Sequence, residues 1–185
     1  QALNPLFLFF NYKIMFKELN RELISDWKFL KLEKINLEWW RVYETAWRVW
    51  WKNAVAGLVR NIENKSYILI EQYRYPVKSK VLELVAWVVD KSSSLEQIMR
   101  EEVYEETGYK DIKNIQYLAD TSASAWALSE KTFLYDIEIW WQKWNQDLWE
   151  MEDIDVFEIP YKDFDRFLAS KLKQNIIIDP KVCMA

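Results

Sequence analysis

The strongest structural signal in the chain is the sequence of residues 81–109, VLELVAWVVDKSSSLEQIMREEVYEETGY. An apolar run of the strand type, Val81 to Val89, leads through a polar turn into an amphipathic segment. Gly108 stands where a glycine commonly ends a helix. The stretch therefore predicts a strand, a turn and a helix over residues 94–107. Two capping boxes are available at the start of this helix: Ser93 with Glu96, or Ser94 with Gln97.

Four glutamates lie within six positions of the predicted helix: Glu101, Glu102, Glu105 and Glu106. Residues four apart are neighbours on a helix surface, so Glu102 lies over Glu106 at the edge of the apolar stripe. Two carboxylates at that edge repel each other and resist desolvation, and a divalent cation removes both problems. Mg²⁺ prefers oxygen ligands and commonly uses one or two carboxylates plus substrate phosphates. The alternative is a solvated acidic face, since charge runs usually lie on the surface.

Outward from this stretch, short runs of β-branched and aromatic residues with polar breaks predict further strands. These runs are residues 26–37, 53–62, 66–73, 115–118 and 132–139. Helices are predicted over residues 161–172, after Pro160, and from Asp179-Pro180 onward, where proline takes the first helical position. Many strands, a helix, more strands and closing helices predict a mixed sheet with helices packed on it.

The 185 residues include 25 lysines and arginines, 29 acids, one cysteine and no histidine. This length suits one domain with one sizeable core. A net charge of −4 argues against nucleic acid or anionic lipid as a partner, and no apolar run is long enough to predict a membrane span. One cysteine excludes a disulfide framework, and the lack of histidine excludes a Ser-His-Asp triad and every histidine-ligated metal. Hydrolytic chemistry would then depend on carboxylates, lysine, serine or a hard metal ion.

Glycine and tryptophan occur in abnormal numbers, 2 and 12. Average usage predicts roughly 13 glycines in a chain of this length. Several tryptophans stand where turns are expected, in pairs at 39–40, 50–51 and 140–141 and at Trp144. Tryptophan with positive φ is an outlier, whereas glycine adopts that conformation freely. We therefore expect tryptophan to occupy former glycine positions, and a naturally tryptophan-rich protein is the alternative.

The segment 81–109 resembles the signature of the Nudix hydrolases, G-x5-E-x7-R-E-U-x-E-E-x-G-U, in which U is an aliphatic or aromatic residue. The matching positions are Glu102, Val103, Glu105, Glu106, Gly108 and Tyr109. Three positions depart from the signature: Trp87 stands at the first glycine, Ser93 at the first glutamate and Glu101 at the arginine. The glutamate and the arginine are lost together, so no single charge is orphaned, and Ser93 is then expected to act as the helix N-cap.

The flanking segments resemble the ADP-ribose pyrophosphatase branch of that family over roughly residues 25–185. They are 70–76 (IEQYRYP), 82–87 (LELVAW), 124–131 (SAWALSEK), 150–155 (EMEDID) and 178–182 (IDPKV). The resemblance implies an α/β (α+β) fold, a Nudix-type α/β/α sandwich with a mixed β-sheet, preceded by an N-terminal strand region. We expect three parts: an N-terminal extension over 1–24, with a natural start near Met15, N-terminal strands and a dimer interface over 25–52, and the hydrolase domain over 53–185.

The resemblance also implies a metal site. Glu102 and Glu106 would ligate Mg²⁺ or Mn²⁺, together with the backbone carbonyl of Ala86. Glu105 would be a further ligand or would position the attacking water, so it counts as catalytic as well. Such a cation neutralises the diphosphate and lowers the pKa of an attacking water.

The remaining site residues lie outside the helix. Glu150 and Glu152, on a late acidic loop, are the general-base candidates implied by the resemblance, and Glu150 is preferred. Arg74 is the candidate for binding a substrate phosphate, because arginine offers a bidentate fork. Glu83 is the second substrate-binding candidate, as a group that supports the site from behind its ligands or that acts at the site of an adjoining subunit. The alternative for each is an ordinary surface side chain.

The leading functional hypothesis is Mg²⁺-dependent hydrolysis of the diphosphate bond of ADP-ribose or a related nucleoside diphosphate sugar, giving AMP and a sugar phosphate. We expect a cytoplasmic homodimer that binds this small molecule and neither nucleic acid nor membrane. One alternative is a catalytically impaired module of the same fold that binds a nucleotide or a protein, which the departures at Trp87, Ser93 and Glu101 favour. Another is an aromatic-rich interaction protein without a nucleotide site.

Overall fold

The computed structural model describes residues 16–49, 53–89, 92–140, 143–148 and 153–185. Glu150 and Glu152 lie outside these ranges, as do Met15 and the tryptophans at 50, 51 and 141. The strands are β1 (Glu18–Asp26), β2 (Leu30–Leu37), β3 (Val42–Arg48), β4 (Ala54–Asn61), β5 (Ser66–Arg74), β6 (Ser79–Glu83), β7 (Val85–Val88), β8 (Ile112–Thr121), β9 (Thr132–Ile139), β10 (Ile154–Pro160) and β11 (Ile177–Ile178). The helices are α1 (Leu95–Thr107) and α2 (Phe164–Lys173), with short 3₁₀ turns at Glu38–Trp40, Tyr161–Asp163 and Pro180–Met184.

The strands form two sheets. A three-stranded antiparallel sheet, which we call the N-terminal sheet, has the order β1-β2-β3. The main sheet has the order β11-β6-β5-β4-β9-β8, with β10 paired to β5 and β7 paired to β4. β4 runs parallel to β9 but antiparallel to β5 and β7. The mixed sheet predicted from the order of elements is therefore present.

The two helices cover opposite faces of the main sheet. Side chains alternate along a strand, and in β4 Val55 joins the buried cluster that includes Met99 of α1. The next residue, Ala56, joins a second cluster that includes Phe164 of α2. This alternation places one apolar layer on each face, which makes the domain an α/β/α sandwich.

Helix α1 begins one residue later than the predicted helix over 94–107 and ends at the predicted residue. Its N-cap is Ser94, whose side chain accepts a hydrogen bond from the backbone N–H of Gln97. The expectation that Ser93 caps the helix is therefore wrong, because the chain is still extended at Ser94 and becomes helical only after it. Gly108 ends the helix with a φ of 79°. A Cβ there would lie 2.2 Å from the carbonyl oxygen of Trp144, so both conformation and space require glycine.

Other predicted elements agree to within a few residues. β9 has the predicted bounds, whereas the predicted strand over 81–89 is divided into β6 and β7 at Leu84. The closing helix is a 3₁₀ turn whose N-cap, Asp179, accepts from the backbone N–H of Lys181. Periodicity did not reveal β1 or β3, because β1 is almost wholly exposed, β3 is exposed or half-buried throughout, and neither shows apolar alternation.

The turn between β2 and β3 contains two tryptophans in the left-handed region. Trp39 and Trp40 have φ values of 60° and 57°, and their exposed fractions are 81% and 88%. Neither indole gains a buried environment to offset a conformation that glycine adopts at low cost. The backbone at these two positions therefore suits glycine.

None of the described helices is long and apolar enough to cross a bilayer.

Candidate functional site

A cleft of about 490 Å³ opens beside the C-terminal half of α1. Its walls come from β3, β4, β5, β6, β7, α1, the loop before β9, the start of β9 and the C-terminal 3₁₀ turn with its N-cap. This volume lies in the range of small-molecule binding sites. Several distant parts of the chain therefore contribute to one site.

Four of the residues predicted from the sequence line this cleft. They are Arg74, Glu83, Ala86 and Glu106. They belong to β5, β6, β7 and α1, and α1 packs against β7. The pairing of the strands and the packing of the helix bring these residues together.

Glu102 and Glu106 lie one turn apart on the buried side of α1. Their exposed fractions are 1% and 3%, so this pair does not form a solvated acidic face. Fully buried carboxylates are rare, because desolvation of the charged form is costly. Glu105 is only partly buried, and its backbone carbonyl accepts a hydrogen bond from the N–H of Asp147 at 2.9 Å.

The donor set at this end of α1 fits a hard divalent cation. It offers two buried carboxylates one helical turn apart, Glu102 and Glu106. Glu106 lines the cleft together with Ala86, whereas Glu102 and Glu105 are not among the residues of its lining. No group of three or more acidic or cysteine side chains within the described ranges is arranged to hold a metal. One or two carboxylates are nevertheless the usual protein contribution to Mg²⁺ in phosphate chemistry, where water and substrate provide the other ligands.

Arg74 is held in the cleft by Glu83. Its Nη2 and Nε donate to Glu83 Oε2 at 2.6 and 3.0 Å, and Gln72 Nε2 donates to the same oxygen at 3.3 Å. Glu83 therefore orients the guanidinium, which leaves less rotamer freedom to lose when an anion binds.

Two further ion pairs line the cleft. Their residues were not among the site residues predicted from the sequence. Arg48 of the N-terminal sheet donates to Glu130 in the loop before β9. Lys181 of the C-terminal 3₁₀ turn donates to Asp179 Oδ2 at 2.8 Å. Glu130 and Lys181 lie within the segments that resemble the pyrophosphatase branch, but only the fold shows that they face one cavity with Arg74.

The charge of the cleft is slightly negative over its described lining. Three cationic side chains are outnumbered by four carboxylates: Arg48, Arg74 and Lys181 against Glu83, Glu106, Glu130 and Asp179. A polyanion such as a diphosphate gains little net attraction from this balance, and a divalent cation would reverse it.

The segment before Glu150 is anchored to the end of α1. Gln146 Nε2 donates to the backbone carbonyl of Glu106 at 2.6 Å and to that of Ile154 at 3.2 Å. The described residues on both sides of the predicted general bases therefore meet next to Glu106. Glu150 and Glu152 themselves lie outside the described residues, so their assignment stays a prediction.

A polar cluster around the exposed Glu158 contacts Tyr109, the residue after the C-cap of α1, and its members Asn61, Ser66 and Tyr109 are buried. Tyr109 donates its hydroxyl to Glu158 Oε2 at 3.0 Å, and Asn61, Asn64 and Ser66 donate to Oε1. Burial and the neighbouring charge of Glu158 raise the pKa of Tyr109 to about 12. Burial would raise the pKa of Glu158, but the hydrogen bonds it accepts outweigh this effect and lower it. The cluster thus binds the chain after α1 firmly to β5 and β10.

Comparison with known proteins identifies the fold. No protein-family model matches the sequence, and no curated protein matches it. A crystal structure of an ADP compounds hydrolase is similar to this chain with a TM-score of 0.67, over 83% of each chain and at 18% sequence identity. At that identity the likeness concerns the fold alone. It confirms the predicted fold class, a Nudix-type α/β/α sandwich with a mixed β-sheet.

Proposed function

We propose that the protein hydrolyses the diphosphate bond of ADP-ribose or a related nucleoside diphosphate sugar, giving AMP and a sugar phosphate. The observation that carries this proposal is the meeting of buried Glu106 with Arg74 and Ala86 at a single cleft. The shared fold with an ADP compounds hydrolase supports it.

Different residues would bind the substrate phosphate and the metal ion. Arg74, oriented by Glu83, would bind a phosphate oxygen. Glu102, Glu106 and the carbonyl of Ala86 would hold Mg²⁺ or Mn²⁺, with Glu105 as a further carboxylate. The cation supplies positive charge that offsets the diphosphate.

The reaction itself is a hydrolysis with a carboxylate base. Water attacks one phosphorus, and the bond from that phosphorus to the bridging oxygen breaks. The bridging oxygen leaves with the other phosphoryl group. Glu150, or else Glu152, would accept the proton that the water loses, a role that suits a carboxylate in a chain without histidine.

Release of AMP from ADP-ribose tests the proposal. The purified chain is incubated with ADP-ribose and Mg²⁺ or Mn²⁺, and products are separated by chromatography. Glu106→Gln should lower kcat by roughly 100-fold or more, because it removes a charge that acts on the transition state. Glu96→Gln, on the exposed first turn of the same helix, is the matched control. Failure to release AMP with either metal, or an unchanged rate for Glu106→Gln, would contradict the proposal.

A second candidate is a binding module with impaired catalysis. The observation that favours it is Trp87, which lines the cleft directly after Ala86 where the resembled signature has glycine. Under this alternative the wild type binds ADP-ribose without turnover, and Trp87→Gly gains AMP release. Turnover by the wild type at the rate of Trp87→Gly would remove this candidate.

A further inference from the structure

The C-terminal segment reaches into the cleft although it is distant in sequence from the other walls. Asp179 and Lys181 line the same cavity as Arg74 and Glu106. The resemblance noted in the sequence assigns no role to either residue. Lys181 therefore places a positive charge at a wall of the cleft distant in sequence from the one that contributes Arg74.

The backbone of this segment is fastened without help from the Lys181 side chain. Ile177 and Ile178 pair in parallel with Val81 and Leu82, and the N–H of Asp179 donates to the carbonyl of Leu82 at 2.9 Å. Val182 is fully buried in the cluster under α2. Removing the Lys181 ammonium should therefore leave the segment in place.

The Lys181 ammonium is held by Asp179, and an ammonium has more N–H donors than this one contact uses. Lys181 Nζ donates to Asp179 Oδ2 at 2.8 Å, and both side chains are about 20% exposed. An ammonium has three N–H donors, and lysine is a common phosphate ligand that acts as a point charge. Asp179 is fixed in turn, because its other oxygen, Oδ1, accepts from the backbone N–H of Lys181 at 2.8 Å.

We propose that Lys181 is a substrate-positioning residue that binds a phosphate oxygen of the nucleoside diphosphate, with Asp179 setting the position of its ammonium. The inference rests on the proposed function for its ligand class. It adds a second cation, carried by a different part of the chain, to the one that Arg74 supplies. The C-terminal segment is then part of the binding site rather than only an edge strand of the sheet.

The test compares Lys181→Gln, Lys181→Arg and Lys173→Gln. Lys173, exposed at the end of α2, is the matched control for the loss of one lysine charge. Lys181→Gln should raise KM for ADP-ribose by about 10-fold or more, the usual loss for a hydrogen bond to a charged group, and leave kcat within about threefold. Lys181→Arg should recover most of the affinity, and the melting temperatures of all variants should match the wild type.

Binding is measured separately from turnover with a methylene-bridged analogue of ADP-ribose in the presence of Mg²⁺, by calorimetry on the full chain. Weaker binding by Lys181→Gln but not by Lys173→Gln supports the inference, whether or not the wild type hydrolyses ADP-ribose. Hydrolysis by the wild type with equal analogue binding by Lys181→Gln overturns the inference and leaves the proposed function standing. A wild type that binds the analogue without hydrolysing ADP-ribose overturns the proposed function, and the binding by Lys181→Gln then still decides the inference: weaker binding supports it and equal binding overturns it. A wild type that neither binds nor hydrolyses overturns both.

Discussion

Trp39 and Trp40 hold the turn between β2 and β3 in the left-handed conformation while exposing most of their indole surface. For residues other than glycine this conformation costs about 1–2 kcal/mol each, and glycine loses part of that advantage through its greater freedom in the unfolded chain. We therefore expect Trp39→Gly with Trp40→Gly to raise the free energy of unfolding by about 1 kcal/mol. Urea denaturation measures this change.

Trp126→Gly is the control for this prediction. Trp126 is 80% exposed as well, but it is not among the described residues with positive φ. Glycine at this position should leave stability unchanged or lower it slightly, because only unfolded-state entropy changes. Equal effects at the turn and at Trp126 would contradict the backbone explanation.

The left-handed backbone at residues 39 and 40, together with 2 glycines and 12 tryptophans in the chain, also leads to a prediction about the protein purified from its natural source. We expect peptides of the protein isolated from its source to contain glycine at positions 39 and 40, because the backbone there has the positive φ that glycine adopts freely. Peptide mass spectrometry distinguishes the two residues. Tryptophan at both positions would show that the chain tolerates the strained turn.

Tyr109 should make stability depend on pH in the alkaline range. Its pKa is raised from 10 to about 12 in the folded state, so between these values the unfolded chain loses a proton that the folded chain keeps. The stabilisation is complete below pH 10 and is lost as the pH rises through about 12. Urea denaturation at several pH values should show the advantage of the wild type over Tyr109→Phe shrinking across this window. Tyr43→Phe, on the exposed N-terminal sheet, is the control; a pH-independent difference for Tyr109→Phe would contradict the prediction.

At the scale of elements, α2 is tied to the main sheet by a buried ion pair. Lys171 Nζ donates to Glu71 Oε2 at 2.6 Å, with side chains only 7% and 5% exposed. The ammonium also lies 3.6 Å from the ring centroid of Phe157. Lys171→Met should lower the free energy of unfolding by about 3 kcal/mol. Among the described residues, the buried Glu71 carboxylate would then pair only with the more distant and more exposed Lys80, whose Nζ lies 3.4 Å from Glu71 Oε1.

Replacing both partners of this pair should have a much smaller effect. Glu71→Leu with Lys171→Met removes both charges and fills the space with apolar groups, a change that is often neutral. Lys173→Met, on an exposed position of the same helix, should change stability little. A double variant as unstable as Lys171→Met alone would show that lost packing, and not the weakened pairing of the Glu71 carboxylate, causes the loss.

At the scale of the molecule, the N-terminal sheet leaves many apolar side chains exposed. Among them are Leu19, Leu23, Ile24, Phe29, Val42 and Tyr43. Exposed apolar groups often mark an interface when they form a contiguous patch, and we predict that this sheet forms the contact of the expected homodimer. Sedimentation velocity should give twice the chain mass of 22.6 kDa.

Leu19→Glu with Leu23→Glu should convert such a dimer to monomers, because both substitutions would place charges in the buried contact. Leu118→Glu, on β8 of the main sheet and also exposed, is the control and should remain dimeric. A wild type that sediments as a monomer at all concentrations would contradict the expected interface.

The sequence by itself determined the local structure around residues 81–109. Ser94, the apolar stripe and Gly108 define α1 through capping, periodicity and positive φ, which are properties of neighbouring residues. The buried strands β4, β5 and β9 were predicted for the same reason, whereas periodicity missed β1 and β3, which lack an apolar alternation, and also β10, which has buried residues on both faces. Helical spacing and the apolar stripe put Glu102 and Glu106 on one side of the helix, and the resemblance to the Nudix signature made them the metal-ligand candidates.

Only the tertiary structure decided which distant residues share the cleft. The pairing of β5 with β6, the packing of α1 against β7 and the parallel contact of β11 with β6 bring Arg74, Glu106 and Lys181 to one cavity. The ion pair of Arg48 with Glu130 joins the N-terminal sheet to a loop more than eighty residues later. Such contacts depend on long-range sheet register and helix packing, and neighbouring residues carry no direct record of either.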